Sequence, residues 1–186
     1  MSFNPCLIYF AAVALTGLSL TPGRADESDA QLREQALAAM RKAADFYRHK
    51  VAYHGGYVYY YSPDLSYRHG EGTATATQIW VQPPGTPTVG LAYLAAYRAT
   101  GERLYLDAAR AAGEALMYGQ LKSGGWQNCI DFDPRGRVNL YRNGKGGGQN
   151  NSTLDDDITE SAIRFMARLD EALGFKDAPV HQSAQT

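Results

Sequence analysis

Apolar residues recur at helical spacing in the second half of the chain. From residue 158 to residue 172 the apolar positions are Ile158, Ala162, Phe165, Leu169 and Ala172. That three-to-four-residue period predicts an amphipathic helix. From about residue 102 to residue 120, two neighbouring apolar stripes cover much of the circumference, and a helix of that kind packs on several sides at once.

Boundary residues indicate two earlier helices. Ser28 and Gln31 form a capping-box pattern, which predicts a helix from there to about Val51. Thr86-Pro87 is typical of a helix start, and Thr100-Gly101 is typical of a helix end. Between these two helices, the Tyr-rich segment from Tyr57 to Tyr61 favours an extended conformation.

The segments that follow the first and third predicted helices are similar to each other. His54-Gly55-Gly56-Tyr57 follows one, and Ser123-Gly124-Gly125-Trp126 follows the other about 70 residues later. We expect a further repeat to begin at Lys176-Asp177-Ala178, which resembles Leu106-Asp107-Ala108, and to be incomplete at Thr186. Stacked units of this size bury their apolar faces only against neighbours. We therefore expect an all-α fold, an incomplete (α/α) toroid of antiparallel helix pairs with long loops and at most short strands.

The N-terminal segment has features of an export signal. An apolar run from Leu7 to Leu15 precedes Gly23-Arg24-Ala25, which has the small residues of a cleavage site. We expect residues 1–25 to be removed, residues 26–186 to form one partial toroid domain, and the protein to be exported to the periplasm or the extracellular space. A membrane anchor is the alternative, but the run is short for a span of about 20 residues. After cleavage we expect no stable membrane insertion.

Composition narrows the class of partner. The chain has 18 Lys and Arg against 19 Asp and Glu, a balance that argues against a nucleic-acid-binding protein with a basic face. Cys6 leaves with the signal, so the mature fold must be stabilised by packing rather than by an intrachain disulfide. We expect Cys129 to be a small buried hydrophobic residue rather than a nucleophile.

The sharpest local signal for chemistry is the run of three carboxylates Asp155-Asp156-Asp157. One interpretation is structural: Asp157 caps the helix and Glu160 returns the capping-box bond. The capping interpretation explains one or two of the three carboxylates. Adjacent carboxylates raise each other's pKa unless a cation offsets the repulsion, and oxygen ligands favour Ca²⁺. The alternative is therefore a metal or catalytic site at Asp155 and Asp156.

Aromatic and charged residues provide further candidates for binding. Trp126 and Trp80 are either turn plugs or platforms for a sugar ring, whose apolar face stacks on aromatic side chains. Arg68 with His69, and Arg142 with Lys145, are candidates to face an anionic substrate. Solvated loop charges are the alternative for both pairs. The remaining candidates for proton transfer are His54, His69, and the pair Asp131 and Asp133.

Three of these segments, in this order, resemble the pectic acid lyase family, family 10 of the polysaccharide lyases. They are Ser123-Gly124-Gly125-Trp126, then Thr153 to Thr159, then Ile163-Arg164-Phe165-Met166-Ala167-Arg168. The family pairs a Gly-Gly-Trp segment with an Asp-Asn-x-Ala-Thr segment that leads into an Ile-Arg-Phe-Leu-Ala-Arg helix. The resemblance covers roughly Pro87 to Val180. This chain departs from the family pattern at Asp156, Ile158 and Gln127-Asn128-Cys129.

The resemblance implies an α/α toroid that cleaves polygalacturonate by Ca²⁺-assisted β-elimination. By position, Asp155 matches the first acid of the family and Trp126 matches its Trp. The general base of the family is an Arg located beyond Thr186, so we expect no lyase activity from these residues alone. The partner that the resemblance implies is an acidic polysaccharide. Two alternatives stay open: a non-catalytic carbohydrate-binding helical module, and a toroid glycoside hydrolase that uses Asp155 with Asp131.

Overall fold

The computed structural model describes residues 23–136 and 139–186. Residues 1–22 of the predicted export signal lie outside the described residues. Residues 1–39 and 40–186 separate into two compact units, and the described residues of the first unit are the N-terminal part of one helix. Apart from the N-terminal part of α1, the features described below belong to the second unit.

Five α-helices are present among the described residues. They are α1 (Gly23–Phe46), α2 (Thr86–Thr100), α3 (Arg103–Gly119), α4 (Ile158–Ala172) and α5 (Ala178–Ala184). A π-helical turn, Tyr47–Val51, continues α1. The predicted boundaries of α2, α3 and α4 are confirmed, and α2 ends where Gly101 takes a left-handed φ of 73°. The predicted start at Ser28 is wrong, because α1 is already helical from Gly23 and a capping residue must lie outside the helix.

Small residues allow the helices of the core to approach closely. A Cβ at Gly90 of α2 would lie 2.3 Å from the Phe165 ring of α4. A Cβ at Gly113 of α3 would lie 2.4 Å from Leu169, also of α4. Phe165 and Leu169 are fully buried. Because the larger side chains fill the space above these glycines, α2, α3 and α4 form one continuous core.

Two small antiparallel sheets accompany the helices. The strands are β1 (Tyr60–Tyr61), β2 (Arg68–His69), β3 (Gln78–Trp80) and β4 (Cys129–Asp131), with β1 paired to β2 and β3 paired to β4. Helices account for about 52% of the described structure and strands for about 10%. The prediction of an all-α incomplete toroid is therefore wrong, and a full α/α toroid is not shown. The β-forming segments before α2 and after α3 pair with one another instead of remaining loops.

The two Gly-Gly-aromatic segments make equivalent contacts. The Tyr57 N–H donates to the Thr86 Oγ1 at 2.9 Å, and the Thr86 hydroxyl donates back to the Tyr57 carbonyl at 3.2 Å. Likewise the Trp126 N–H donates to the Thr159 Oγ1 at 3.1 Å, and this hydroxyl donates to the Trp126 carbonyl at 3.3 Å. Each segment is thus fastened to a threonine in the first turn of a following helix. The repeat seen in the sequence exists as a local structural unit.

A search of the described helices for a membrane-spanning segment found none that combines the necessary length with the necessary apolar character.

Candidate functional site

The acidic segment Asp155–Asp157 forms a single 3₁₀ turn before α4. Asp156 and Asp157 take positive φ angles of 50° and 58°, a region that Asp tolerates better than most residues. No side chain caps the first turn of α4, and the Glu160 Oε2 is buried without a partner among the described residues. The capping-box interpretation is therefore wrong. Asp157 has a left-handed backbone conformation instead of the extended one of a typical capping residue, and its carboxylate pairs with Arg164.

The three carboxylates have different surroundings. The Asp156 Oδ2 accepts a hydrogen bond from the Gln82 Nε2 at 3.1 Å. Asp157 forms an ion pair with Arg164 at 3.3 Å, and Asp155 is exposed. Nowhere in residues 23–136 and 139–186 do three or more acidic, His or Cys side chains converge as metal ligands. Calcium takes six to eight oxygen ligands, and Asp155 and Asp156 do not bring that many together among the described residues.

Trp126 is a core residue. Its side chain is 1% exposed, and its indole N–H donates to the carbonyl of Leu116 in α3 at 2.9 Å. In this conformation the ring offers no face to a sugar. The backbone of Trp126 nevertheless lies beside the acidic segment, because its carbonyl accepts from the Thr153 N–H at 3.1 Å. Thr153 lies two residues before Asp155, so the backbone of Trp126 is close to the acidic segment while its side chain is buried in the core.

Trp80 belongs to a second, smaller cluster of buried residues that includes Val58, Ala74 and Cys129. Its side chain is 6% exposed and meets the edge of the Tyr59 ring at a centroid distance of 6.3 Å. Its indole N–H is buried and has no acceptor among the described residues. Trp80 is therefore a buried residue whose side-chain donor has no acceptor among the described residues. The expectation that Cys129 is a small buried residue fits its place in this cluster.

In the hairpin β1–β2, the side chains of Arg68 and His69 lie on opposite faces. Adjacent residues of a strand point to opposite faces, so the two cannot act as a pair toward one substrate. Arg68 lies on the side of Tyr61, where its Nη1 donates to the Thr75 carbonyl at 2.6 Å and its guanidinium lies 5.9 Å from the Tyr61 ring. His69 lies opposite Tyr60 on the other face. The joint role predicted for Arg68 and His69 does not fit this geometry.

An aromatic surface, which consists of Tyr60, Tyr67 and His69, covers the outer face of this hairpin. Tyr60 is 66% exposed and Tyr67 is 47% exposed. Their ring centroids lie 6.3 Å and 5.9 Å from the imidazole of His69. Tyr60 and Tyr67 were not predicted as site residues from the sequence. Three consecutive tyrosines show no polar–apolar alternation, so no local signal marks Tyr60 as the outward-facing one.

Behind the aromatic surface lies a polar junction, which consists of Tyr59, Glu71, Trp80, Gln82 and Asp156. Three buried polar atoms of the junction lack a partner among the described residues: the Tyr59 Oη, the Trp80 Nε1 and the Gln82 Oε1. Burial raises the pKa of the Tyr59 hydroxyl, and the carboxylates of Glu71 and Asp156 raise it further, so Tyr59 stays a neutral donor.

Neighbouring contacts hold the polar junction together. Glu71 accepts from the Asn128 Nδ2 at 3.1 Å, and the Val81 N–H donates to the Asn128 carbonyl at 2.8 Å. The rings of Tyr59 and Tyr60 meet edge to face at 6.3 Å, which joins the junction to the aromatic surface. Unpaired buried donors and acceptors are costly, so a cluster of them suggests a place for a polar ligand.

Asp131 has a structural role in this fold. Its carboxylate is 3% exposed and accepts hydrogen bonds from Thr77 at 2.7 Å, from Gln78 at 3.1 Å and from the Asp133 N–H at 2.9 Å. The bonds from Thr77 and Gln78 join β4 to the start of β3. A carboxylate so enclosed is not open to a substrate, which disfavours the hydrolase alternative that pairs Asp155 with Asp131.

Comparison with known proteins adds no assignment: no protein-family model matches the sequence, and neither a curated protein nor a solved structure is significantly similar to it.

Proposed function

We propose that this chain binds polysaccharide across the aromatic surface and the polar junction, and that the ligand is an acidic polysaccharide of the polygalacturonate class. The observation that carries the proposal is the contact between the exposed ring of Tyr60 and the ring of Tyr59, whose buried hydroxyl has no partner among the described residues. The identity of the polymer rests on the resemblance to pectic acid lyases.

The aromatic surface suits the apolar face of a sugar ring, and the polar junction suits its hydroxyls. Tyr60 and Tyr67 offer apolar ring faces against which the apolar face of a pyranose stacks. The hydroxyls of a sugar are both donors and acceptors, so they complement both the indole N–H of Trp80 and the amide oxygen of Gln82. Asp156 and Glu71 add charged acceptors, which form stronger hydrogen bonds than neutral ones.

The same carboxylates constrain how an acidic polymer binds. Glu71 and Asp156 repel a uronate carboxylate placed next to them, so the polymer must present its hydroxyls to the polar junction and turn its carboxylates outward. A divalent cation would reduce this repulsion. We therefore expect calcium to tighten the binding of oligogalacturonide, and we expect a neutral oligogalactose to bind without any calcium effect.

Isothermal titration calorimetry on the full chain tests the proposal. Replacing both Tyr60 and Tyr67 by Ala removes the stacking faces and should weaken binding of oligogalacturonide about tenfold or more, since each aromatic contact contributes about 1 kcal/mol. Phe175→Ala is the matched control, because Phe175 is 61% exposed and lies between α4 and α5. Equal affinities for the double variant and the unmodified chain would contradict the proposal.

Cleavage is a second candidate function, favoured by the exposed carboxylate of Asp155 next in sequence to a member of the polar junction. The calorimetry samples can be assayed for the unsaturated product of β-elimination by its absorbance. Product that disappears with Asp155→Ala, while binding persists, would support the lyase. Binding without product would favour the non-catalytic carbohydrate-binding module.

A further inference from the structure

A polar cavity of about 340 Å³ lies between the end of α3, the turn around Arg142 and helix α5. Its polar lining consists of Gln120, Arg142, Asn143, Gln182 and Ser183. No residue of the aromatic surface or the polar junction lines it. Its volume falls at the lower end of the range typical of small-molecule sites.

Arg142 is held in place by a buried amide. The Arg142 Nη1 donates to the Gln120 Oε1 at 2.9 Å, and the Arg142 backbone N–H donates to the Gln120 carbonyl at 2.9 Å. Gln120 is 2% exposed, and its Nε2 donates to the carbonyls of Gly124 at 2.7 Å and Ser183 at 3.1 Å. Ser183 in turn donates its hydroxyl to the Gln120 Oε1 at 2.8 Å. The guanidinium is therefore fixed by a network that involves both α3 and α5.

The pairing of Arg142 differs from that of other arginines in the described structure. Arg110, Arg164 and Arg168 each form an ion pair with an acidic side chain, to Asp177, Asp157 and Glu171 respectively. Arg142 bonds instead to a neutral amide, and no Asp or Glu lines its cavity. A guanidinium has five N–H donors, so most of its donors stay open to a ligand.

We propose that this cavity binds a small hydroxylated carboxylate, a class to which galacturonate belongs, with Arg142 as the contact for the carboxylate. A planar guanidinium matches a carboxylate with two parallel hydrogen bonds. The side chains of Asn143, Gln182 and Ser183 are of the kind that bind sugar hydroxyls. A single lining cation suits the single charge of a carboxylate better than the greater charge of a phosphate. This site is separate from the aromatic surface, so the inference does not rest on the proposed function.

Titration of the ¹⁵N-labelled full chain with galacturonate, followed by NMR in the presence of EDTA, tests the inference. We expect saturable shifts at the Arg142 Nε–H and at the Gln120 side-chain amide. Galactose, which lacks the carboxylate, and inorganic phosphate should both bind at least about tenfold more weakly. Equal affinity for galactose, or tighter binding of phosphate than of galacturonate, would overturn the inference.

Variants complete the experiment. Arg142→Gln should weaken galacturonate binding about tenfold or more, because it removes a charge-assisted pair, and Arg142→Lys should restore only part of the loss. Arg168→Gln is the matched control, since Arg168 lines another cavity and is paired to Glu171 at 3.0 Å. Circular dichroism confirms that each variant is folded. Unchanged affinity in folded Arg142→Gln would refute the role of Arg142, whatever the outcome at the aromatic surface.

Discussion

The position of Trp80 depends on a neighbour that has no side chain. The backbone of Gly70 lies against the indole, so that a Cβ at this residue would come within 2.2 Å of two ring carbons. Gly72, two residues later, has no atom within 4 Å of the corresponding position. Neither residue stood out in the sequence, because the reason for a glycine here is a contact across the fold. Likewise, the Gly-Gly-Trp motif alone does not show whether the ring of Trp126 is buried or exposed.

Gly70→Ala should destabilise the protein by about 1–3 kcal/mol, because the added methyl displaces a packed ring. Gly72→Ala should change the free energy of unfolding by less than about 0.5 kcal/mol. Urea unfolding of the two variants and the unmodified chain measures both values. Equal stability of the two variants would mean that Trp80 is not packed against Gly70.

Helices were predictable in this chain because their signals are local. Thr86-Pro87, Thr100-Gly101 and the 158–172 period each specify a boundary or a face without reference to distant residues. The strands were not predictable in the same way. Gln78 pairs with Asp131, 53 residues away in sequence, and strands of two or three residues are too short to show an alternating pattern. The exposed Tyr60 was missed for that reason.

The carboxylate of Asp177, which the sequence marked only as part of a repeat, stabilises the start of helix α5. The Asp177 Oδ1 accepts from the Val180 N–H at 3.3 Å, and the Oδ2 accepts from the Arg110 Nε at 2.7 Å. Burial alone raises the pKa of Asp177, but the contacts to Arg110 and Val180 outweigh it and lower the pKa below its usual value. A carboxylate with a lowered folded-state pKa stabilises the fold above its unfolded pKa, and this contribution is lost as the pH falls through the folded value.

Asp177→Asn should therefore lower the free energy of unfolding by about 1 kcal/mol at pH 7, with a smaller difference as the pH falls below about 4. Asp107→Asn is the control, because Asp107 forms only an exposed ion pair with Arg103 at 3.6 Å and should contribute little. Urea unfolding across this pH range checks both variants. A difference for Asp177→Asn that stays constant down to pH 2.5 would contradict this role of Asp177.

The molecule as a whole retains the repeat without forming the predicted ring. Tyr57 with Thr86, and Trp126 with Thr159, show that the two Gly-Gly-aromatic segments are equivalent units, as the sequence indicated. The chain also forms two small antiparallel sheets, β1 with β2 and β3 with β4, whose pairing was not part of the prediction. One sheet carries the aromatic surface, and Trp80 and Gln82, in and just after a strand of the other, supply the polar junction. The best candidate site thus arises from the part of the fold that the helical pattern did not describe.

The two indole N–H groups of the chain report most directly on whether polysaccharide binds at this site. The Trp126 N–H donates to the Leu116 carbonyl in the core, whereas the Trp80 N–H lacks an acceptor at the polar junction. In a ¹H–¹⁵N spectrum assigned with Trp80→Phe, we expect added oligogalacturonide to shift the Trp80 indole peak saturably. The Trp126 peak should stay in place. A Trp80 peak that does not move at any concentration of oligogalacturonide, with or without calcium, would contradict the account.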